Sequence, residues 1–252
     1  MRRTVVSLAA LVTATVVRTA TAAELEFDHV WIVVNRDAPE RAALERAGLK
    51  ISPNVNRHDG QGTASISGEF LNAYIELIWP DPTVSVAQGA ERGVEKFKKR
   101  MNWRTSGWCP IGIGLHRTGP PTPLPFPTWT VAPDWMPKET AIEILIARDD
   151  TKRPSFFIEP PVLAVKDEAN RKIDNVSPAR TASPASDHPI GVERITDIQL
   201  IRPPVAAFTY LEKTRIFKSA EGKEWAIEIT FDGGRKTQTK DLRPDLPLII
   251  HY

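Results

Sequence analysis

Cysteine is almost absent from the 252-residue chain, which contains Cys109 alone. One cysteine cannot close an internal disulfide, and it excludes zinc sites made of four cysteines. The sequence also lacks a G-x-S-x-G motif and a complete glycine-rich phosphate loop, which argues against a serine hydrolase and a phosphate-loop nucleotide site. We therefore expect Cys109 to be a small buried apolar residue in a core that needs no disulfide framework.

An excess of charge of either sign is also missing. The net charge of +2 depends on Arg2, Arg3 and Arg18, which fall in an N-terminal segment without acidic residues. From residue 24 onward the chain has 30 basic and 31 acidic residues, a net charge of −1. This balance gives no support to a nucleic-acid partner or to binding at a membrane surface.

Residues 1–23 have the three parts of a secretory signal peptide. Met1-Arg2-Arg3 supplies the positive start, residues 4–17 are apolar or small, and Ala20-Thr21-Ala22 is an A-x-A cleavage site. The apolar run is shorter than the roughly 20 residues that span a bilayer. We therefore predict a periplasmic or secreted protein with no stable membrane anchor after cleavage. An uncleaved N-terminal anchor is the alternative.

The first mature segment, residues 24–86, predicts the element order β-α-β-β-β. In its opening strand, Phe27, His29 and Trp31 share one face because side chains two residues apart point to the same side. Asp37 is placed to cap the helix that follows. The predicted elements are a strand at 25–34, a helix at 38–47, a strand at 49–52, a loop at 54–62, and strands at 63–70 and 71–79.

The rest of the chain divides into three segments. We predict a second, eroded module without its helix at residues 87–160 and a polar surface excursion at residues 161–190. A C-terminal βαβββ-like segment is predicted at residues 191–252. Asp232-Gly233-Gly234 is typical of a hairpin turn. The predicted elements are helices at 88–101 and 204–214, and strands at 110–117, 128–131, 141–147, 155–159, 195–202, 224–231, 235–240 and 246–252. If the excursion docks a partner, the chain has an interaction role instead.

Acidic side chains within apolar strands are the informative chemical feature. Glu76 lies in Tyr74–Trp79, a run otherwise suited to a core strand, where an uncompensated charge is costly. His29 is a matching imidazole, because histidine and carboxylate on neighbouring strands suit a mixed nitrogen and oxygen metal site. An ion pair with an arginine, or a solvent-facing edge, would also explain Glu76. Ordinary alternation on a strand with one wet face is the interpretation we favour for Glu143 and Glu228.

Four short segments occur in the order expected of one known domain family. Phe27 to Val34 is similar to an opening strand whose histidine is commonly a metal ligand, and Asn72 to Ile78 to a closing strand that supplies a glutamate. His58 to Ala64 resembles a histidine–glycine–threonine segment found in one branch of that family. Phe156 to Glu159 resembles the closing strand of a second module. Together, from about residue 25 to residue 201, they resemble the glyoxalase-like domains of the vicinal-oxygen-chelate superfamily.

The resemblance implies an α+β fold of paired βαβββ modules that form curved mixed sheets around a cavity. It implies a divalent metal, which would be zinc, manganese, nickel or iron, held by His29, Glu76 and Glu159. Such proteins act as metal-dependent lyases, isomerases or dioxygenases on small oxygenated molecules, so a small molecule is the expected partner. Pairing of modules between chains is common in the family, which makes a homodimer an open question.

The resemblance also assigns roles around the expected cavity. Glu159 would serve as catalytic base, and Trp31, Tyr74 and His58 would contact the bound molecule. His58 lies in a predicted loop, where it is either an acid or base at the cavity mouth or simply a surface histidine. The second module departs from the family pattern, however. His29 precedes Glu76 by 47 positions, and the same count back from Glu159 reaches Gly112 rather than a histidine. A metal-free binding or sequestration protein of the same fold is therefore the alternative. The acids at 143, 197 and 228 stay open as a fourth ligand.

Overall fold

The structure is a computed structural model, and it describes residues 25–118, 124, 128–133, 135–145, 152–163, 187–202 and 216–252. The chain has an α+β fold in which two curved mixed β-sheets carry most of the regular structure and the helices are few and short. The predicted signal peptide, the predicted helix at 204–214 and most of the predicted excursion lie outside the described residues. Among those residues, no helix is long and apolar enough to cross a membrane.

The larger sheet contains eight strands. They are β1 (Leu25–Val33), β2 (Asn56–His58), β3 (Thr63–Glu69), β4 (Tyr74–Pro80), β5 (Ile111–Arg117), β6 (Trp129–Val131), β7 (Ile142–Ile144) and β8 (Ser155–Glu159). Their spatial order is β2-β3-β4-β1-β5-β8-β7-β6. At the centre β1 and β5 are antiparallel, while β1 runs parallel to β4 and β5 runs parallel to β8. The first strands of the two halves, β1 and β5, thus lie side by side in the middle of the sheet.

The smaller sheet has five strands and comes from the C-terminal part of the chain. They are β9 (Ile195–Arg202), β10 (Lys218–Glu221), β11 (Ala226–Phe231), β12 (Thr239–Asp241) and β13 (Leu248–His251), in the order β10-β9-β11-β13-β12. The helices are α1 (Arg41–Arg46), α2 (Glu91–Met101) and α3 (Trp103–Ser106). Of these, α2 packs beside β4 and β1, so it forms a wall next to the central strands.

The main core lies between the two sheets. Val30 and Ile32 of β1 belong to the same buried apolar cluster as Leu200 of β9 and Ile227 of β11. Alternation along a strand leaves the intervening side chains on the opposite face. One face of the larger sheet is therefore covered by the smaller sheet, and its other face is available to line a cavity.

A β-bulge changes which way the start of β1 faces. Phe27 pairs with Leu115 and His29 pairs with Gly114, so Asp28 is an extra residue in β1. Phe27 consequently packs against the main core. The sequence predicted that Phe27, His29 and Trp31 share one face of the strand. This prediction is wrong for Phe27, because the bulge shifts the alternation by one residue.

Two predictions around α1 are also wrong. Asp37 does not cap the helix: it has a positive φ of 62°, and the residue at the helix start is Glu40. The predicted strand at 49–52 is absent, and β2 lies instead at Asn56–His58, inside the predicted loop. The backbone N–H of Lys50 donates to Nδ1 of His188 at 2.9 Å, and that of Ser52 donates to the carbonyl of Ser67 in β3 at 2.7 Å, so this segment is held by single bonds rather than by a strand ladder.

The predicted hairpin at Asp232-Gly233-Gly234 is wrong as well. This tripeptide forms a 3₁₀ turn, and β11 pairs with β9 and β13 rather than with β12. The Asp232 carboxylate accepts the backbone N–H groups of Glu193 and Arg194 at 3.1 and 3.0 Å. These bonds hold the turn next to the start of β9. β12 lies at the edge of the sheet, beyond β13.

Candidate functional site

The face of the larger sheet that turns away from the core lines a cavity of about 1170 Å³. Small-molecule pockets commonly measure roughly 300–1,000 Å³, so the space is ample for one. The six side chains to which the sequence analysis gave a role all line this cavity: His29, Trp31, His58, Tyr74, Glu76 and Glu159. They come from β1, β2, β4 and β8, so the fold brings together residues that are up to 130 positions apart in the sequence.

The pairing of β1 with β4 explains how His29 and Glu76 meet. The two strands are parallel, with Tyr74 opposite His29 and Glu76 opposite Trp31. Because alternate side chains share a face, all four point towards the cavity. Nε2 of His29 lies 4.0 Å from Oε2 of Glu76.

Packing fixes the plane of the His29 ring. Tyr74 stacks on it, with ring centroids 4.1 Å apart and an interplanar angle of 18°, and Phe157 approaches with its edge at 5.2 Å. On the neighbouring strand, a Cβ atom at Gly114 would lie 2.5 Å from Cε1 of His29. Gly114 therefore provides the space in which the imidazole lies.

The buried Asp28 carboxylate determines the electrostatics of His29. Its Oδ1 is hydrogen-bonded to Nδ1 of His29 at 2.7 Å, and both side chains are almost fully buried. Burial by itself lowers the pKa of His29, but the bond to Asp28 and the negative charges of Asp28, Glu76 and Glu159 together raise it above the usual value. The imidazole thus sits in a negatively charged pocket that favours a proton or a cation.

Glu76 lies between two imidazoles. Its Oε1 is 3.9 Å from Nε2 of His58, while its Oε2 faces His29. Nδ1 of His58 is hydrogen-bonded to Oγ1 of Thr63 at 2.9 Å. Burial lowers the pKa of His58, and the charges of Glu76 and Asp59 only partly offset this, so His58 favours the neutral form that suits a base or a ligand.

Glu159 reaches the same cavity from the other half of the sheet. It is buried at the end of β8 and lines the cavity with Glu76. Its negative charge contributes to the raised pKa of His29, and Glu159 lies two residues after Phe157, whose ring contacts that of His29. The structure therefore brings both carboxylates and the imidazole to one region.

Sequence reasoning missed the polar side chains of β3. Ser67 lies opposite Glu76 in the β3–β4 pair, and its hydroxyl donates to Oε1 of Glu69 at 2.8 Å. Both residues line the cavity. The alternating Thr63, Ser65, Ser67 and Glu69 were the available signal, because polar residues at every second position mark one face of a strand.

A wall of the cavity is formed by α2, which sequence reasoning treated only as a linking helix. Arg92, Lys96 and Arg100 lie four residues apart and all line the cavity, as does Phe97. Arg100 is buried; it donates to the carbonyl of Arg153 at 2.9 Å, and its guanidinium lies 5.7 Å from the Trp31 ring centroid. The cavity thus combines an acidic floor with a basic helix face.

Trp135 joins the two ends of the curved sheet. It follows β6, the last strand at one edge, and its Nε1–H donates to Oε1 of Gln61 at 3.2 Å, next to β2 and β3 at the other edge. Its ring centroid is 5.5 Å from that of His58. Trp129 also lines the cavity. These two tryptophans form part of its wall.

Several other candidates are held elsewhere. The three acids considered as a fourth ligand do not line the cavity and have partners outside it: Glu143 with Arg117 at 3.0 Å, Glu228 with Gln199 at 3.0 Å, and Asp197 with Lys218 at 2.7 Å. This is the arrangement predicted for the first two. Burial raises the pKa of Cys109 to about 12, in agreement with its predicted role as an apolar core residue.

The donor atoms are near one another without forming a compact metal cage. Within the described ranges, no three or more histidine, cysteine, aspartate or glutamate side chains are grouped as a metal ion would require. The pairs that face the cavity, His29 with Glu76 and His58 with Glu76, are separated by 4.0 and 3.9 Å. At metal–ligand distances of about 2.0–2.2 Å, two donors on one tetrahedral metal lie about 3.4 Å apart, so each pair would have to close slightly.

Comparison with known proteins leaves the family unassigned. No protein-family model matches the chain, and no curated protein is significantly similar to it. Among solved structures, it is similar to the crystal structure of a hypothetical protein from Staphylococcus aureus. That protein is 15% identical, with a TM-score of 0.47, and the alignment covers 90% of this chain and 97% of the other.

Proposed function

We propose that the chain is an exported glyoxalase-like protein that holds a small oxygenated molecule in the cavity above His29, Glu76 and Glu159. The observation that carries the proposal is the convergence of these three buried side chains, from three strands, on one cavity. Buried ionisable groups in a concave site are costly unless they bind something or pair with one another, which makes them candidates for function.

The strand order supports the assignment to paired βαβββ modules. In the first half, β1 is followed by α1 and by β2, β3 and β4, and β1 pairs in parallel with β4. In the second half, β5 is followed by β6, β7 and β8, and β5 pairs in parallel with β8. The two halves then join through β1 and β5. This repeat, with no helix described in the second half, is the pattern expected of a glyoxalase-like protein with one eroded module.

The three side chains suit a divalent cation in their chemistry. One imidazole nitrogen and two carboxylates match the donors that zinc, manganese, nickel and iron accept. Metal-binding histidines usually present their other ring nitrogen to a carboxylate, as His29 does to Asp28. A bound metal would supply Lewis acidity towards vicinal oxygens of the substrate. This chain's own residues would orient the molecule, through Trp31 and Tyr74, and would move a proton, through His58 or Glu159.

Metal content is the measurement that tests this proposal. The chain is purified without chelator or affinity nickel, and we expect about one equivalent of a divalent metal together with a loss of thermal stability when a chelator is added. His29→Ala should abolish this metal binding and leave the fold intact. Glu143→Gln is the matched control, because Glu143 also lies in a strand of the same sheet but is paired with Arg117 outside the cavity. If His29→Ala binds metal as tightly as the parent, the ligand assignment is wrong.

A metal-free binding or sequestration protein of the same fold is the second candidate. It is favoured by the 4.0 Å between His29 and Glu76 and by the glycine at 114, which stands opposite His29 where a second histidine would be needed. If neither zinc, manganese, nickel nor iron stabilises the protein, this candidate replaces the enzyme. The search then turns to small molecules that raise its thermal stability.

Export is tested separately. The segment before residue 24 carries the signal-peptide pattern, and we expect the protein outside the cytoplasm with a new N-terminus at Ala23 or Glu24. Mass spectrometry of the N-terminal peptide distinguishes this from an uncleaved anchor. A full-length chain retained in the cytoplasm would contradict export while leaving the proposal for the cavity in place.

A further inference from the structure

The β-bulge in β1 places two consecutive side chains where they can bond to each other. In a regular strand Asp28 and His29 would point to opposite faces. Because Asp28 is the extra residue of the bulge, it is skipped in the register with β5, and its carboxylate reaches the Nδ1 side of the His29 ring at 2.7 Å. Bulges of this kind occur frequently next to active sites, where they redirect a side chain.

The position of Asp28 is unfavourable for a carboxylate on its own. Its side chain is completely buried, and transferring an ionised carboxylate out of water is costly unless donors or cations surround it. His29 lies on one side of it. On the other side, Nδ1 of His116 lies 3.2 Å from Oδ2 of Asp28, and Nε2 of His116 lies 3.6 Å from Oε2 of the exposed Glu26. Asp28 thus lies between two imidazoles on neighbouring strands: it is hydrogen-bonded to His29, while Nδ1 of His116 is close to it without making a hydrogen bond.

Packing and Asp28 fix different properties of His29. Tyr74 and Gly114 confine the plane of the ring, but packing cannot decide which nitrogen carries the proton of a neutral imidazole. That choice is set by hydrogen bonds. A carboxylate at Nδ1 can only accept, so it keeps the proton on Nδ1 and leaves the lone pair of Nε2 directed at the cavity, on the side of Glu76.

We propose that Asp28 is a positioning residue of the cavity, which holds neutral His29 in the Nδ1–H tautomer, and that His116 assists by confining the Asp28 carboxylate, with its Nδ1 3.2 Å from the second carboxylate oxygen. Whenever His29 is neutral, the lone pair of Nε2 is then available to a ligand or cation in the cavity. The inference rests on the proposed function for the importance of Nε2, but the tautomer itself is a property of the protein alone.

Nitrogen-15 NMR of the histidine rings tests the proposal directly. The chain has five histidines, so the long-range proton–nitrogen spectrum of the full chain labelled at histidine is simple enough to assign by substitution. At a pH where the imidazoles are neutral, the parent should show His29 with a protonated Nδ1 and a bare Nε2. In Asp28→Asn the side-chain amide can donate to Nδ1, so we expect the proton of His29 to move to Nε2 with the fold retained. In the Asp–His pairs of hydrolytic triads the same exchange gives the wrong tautomer.

A second variant and a control complete the design. His116→Leu removes only the outer partner of Asp28, and we expect a mixture of His29 tautomers in place of one; this variant carries the test if Asp28→Asn does not fold. His251→Leu is the matched control, because His251 is a strand histidine of the smaller sheet that is hydrogen-bonded to Thr239, and it should leave His29 unchanged. If His29 keeps a protonated Nδ1 in both Asp28→Asn and His116→Leu, or carries its proton on Nε2 in the parent, the proposal is overturned.

Titration with zinc separates this inference from the proposed function. If both hold, zinc binds the parent and its affinity falls about 10–100-fold in Asp28→Asn, as for other outer partners of ligating histidines. If zinc binds neither protein but the tautomer changes, Asp28 positions His29 for a metal-free ligand and only the metal is refuted. If zinc binds both equally and the tautomer is unchanged, Asp28 has no positioning role.

Discussion

Gly114 is the position where one added methyl group should disturb the cavity most specifically. A Cβ atom there would lie 2.5 Å from Cε1, 2.6 Å from Nδ1 and 3.0 Å from Nε2 of His29. These separations are shorter than van der Waals contact, so Gly114→Ala must displace the imidazole. The ring cannot move far, because Tyr74 stacks on its other side.

The size of the effect follows from two opposing contributions to the free energy of unfolding. Forcing an extra carbon into a packed site costs roughly 1–3 kcal/mol. Replacing a strand glycine with alanine restores roughly 0.5–1 kcal/mol, because the unfolded chain loses less entropy. The net loss of stability expected for Gly114→Ala is therefore about 0–2.5 kcal/mol, centred near 1 kcal/mol, which for a chain of this size lowers Tm by up to about 10 °C.

Thermal and urea unfolding of Gly114→Ala, with Gly93→Ala as the control, measure this difference. Gly93 lies in α2 with no atom within 4 Å of a Cβ built on it, so its replacement should leave stability unchanged or raise it by up to about 1 kcal/mol. Zinc binding should fall in Gly114→Ala; because Gly93 also lines the cavity, Gly93→Ala is a control for stability only. A Gly114→Ala protein that is more stable than the parent and binds zinc as tightly would show that His29 does not lie over this residue, and the site would have to be rebuilt.

Two further predictions concern histidine and cysteine residues outside the cavity. Burial lowers the pKa of His188. Its neutral ring accepts a hydrogen bond from the backbone N–H of Lys50 and is bonded to the carbonyl of Glu69. The contribution of His188 to stability should be complete above about pH 6.5 and decrease as the pH falls below that value, because the unfolded chain then binds the proton more readily. Urea midpoints of the parent and of His188→Gln should therefore differ less at pH 5 than at about pH 7.5, and an equal difference at both would contradict the assignment. Burial raises the pKa of Cys109 to about 12, so a thiol reagent should react with it only after unfolding, and rapid reaction with the native protein would show that Cys109 is exposed.

The strands that carry the cavity residues could be predicted from the sequence because their signal is local. Alternating apolar residues locate β1 and β4 to within a few positions, and the isolated Glu76 stands out against them. The same alternation predicts that His29 and Trp31 share a face, which the structure confirms. What such patterns determine is the spacing of side chains along one strand, which singled out His29 and Glu76; the other cavity residues were named through the resemblance to glyoxalase-like domains.

The features that the sequence did not predict depend on contacts between distant segments. Nothing near Asp28 marks it as the extra residue of a bulge, because the bulge is defined by its pairing with β5. The turn at Asp232 has a typical hairpin sequence, yet its carboxylate bonds to the backbone of Glu193 and Arg194, some 40 residues earlier. Tertiary hydrogen bonds therefore overruled the local turn preference.

The missing second histidine illustrates the same point at the site itself. Counting residues placed the absent ligand at Gly112, whereas strand pairing sets Gly114 opposite His29 and Gly112 opposite Trp31. At both positions an added Cβ would collide with the facing ring. The two glycines are therefore the spaces that His29 and Trp31 occupy, so a histidine introduced at 114 would displace His29 before it could add a second ligand. The asymmetry between the two halves is a consequence of how these rings pack across the centre of the sheet.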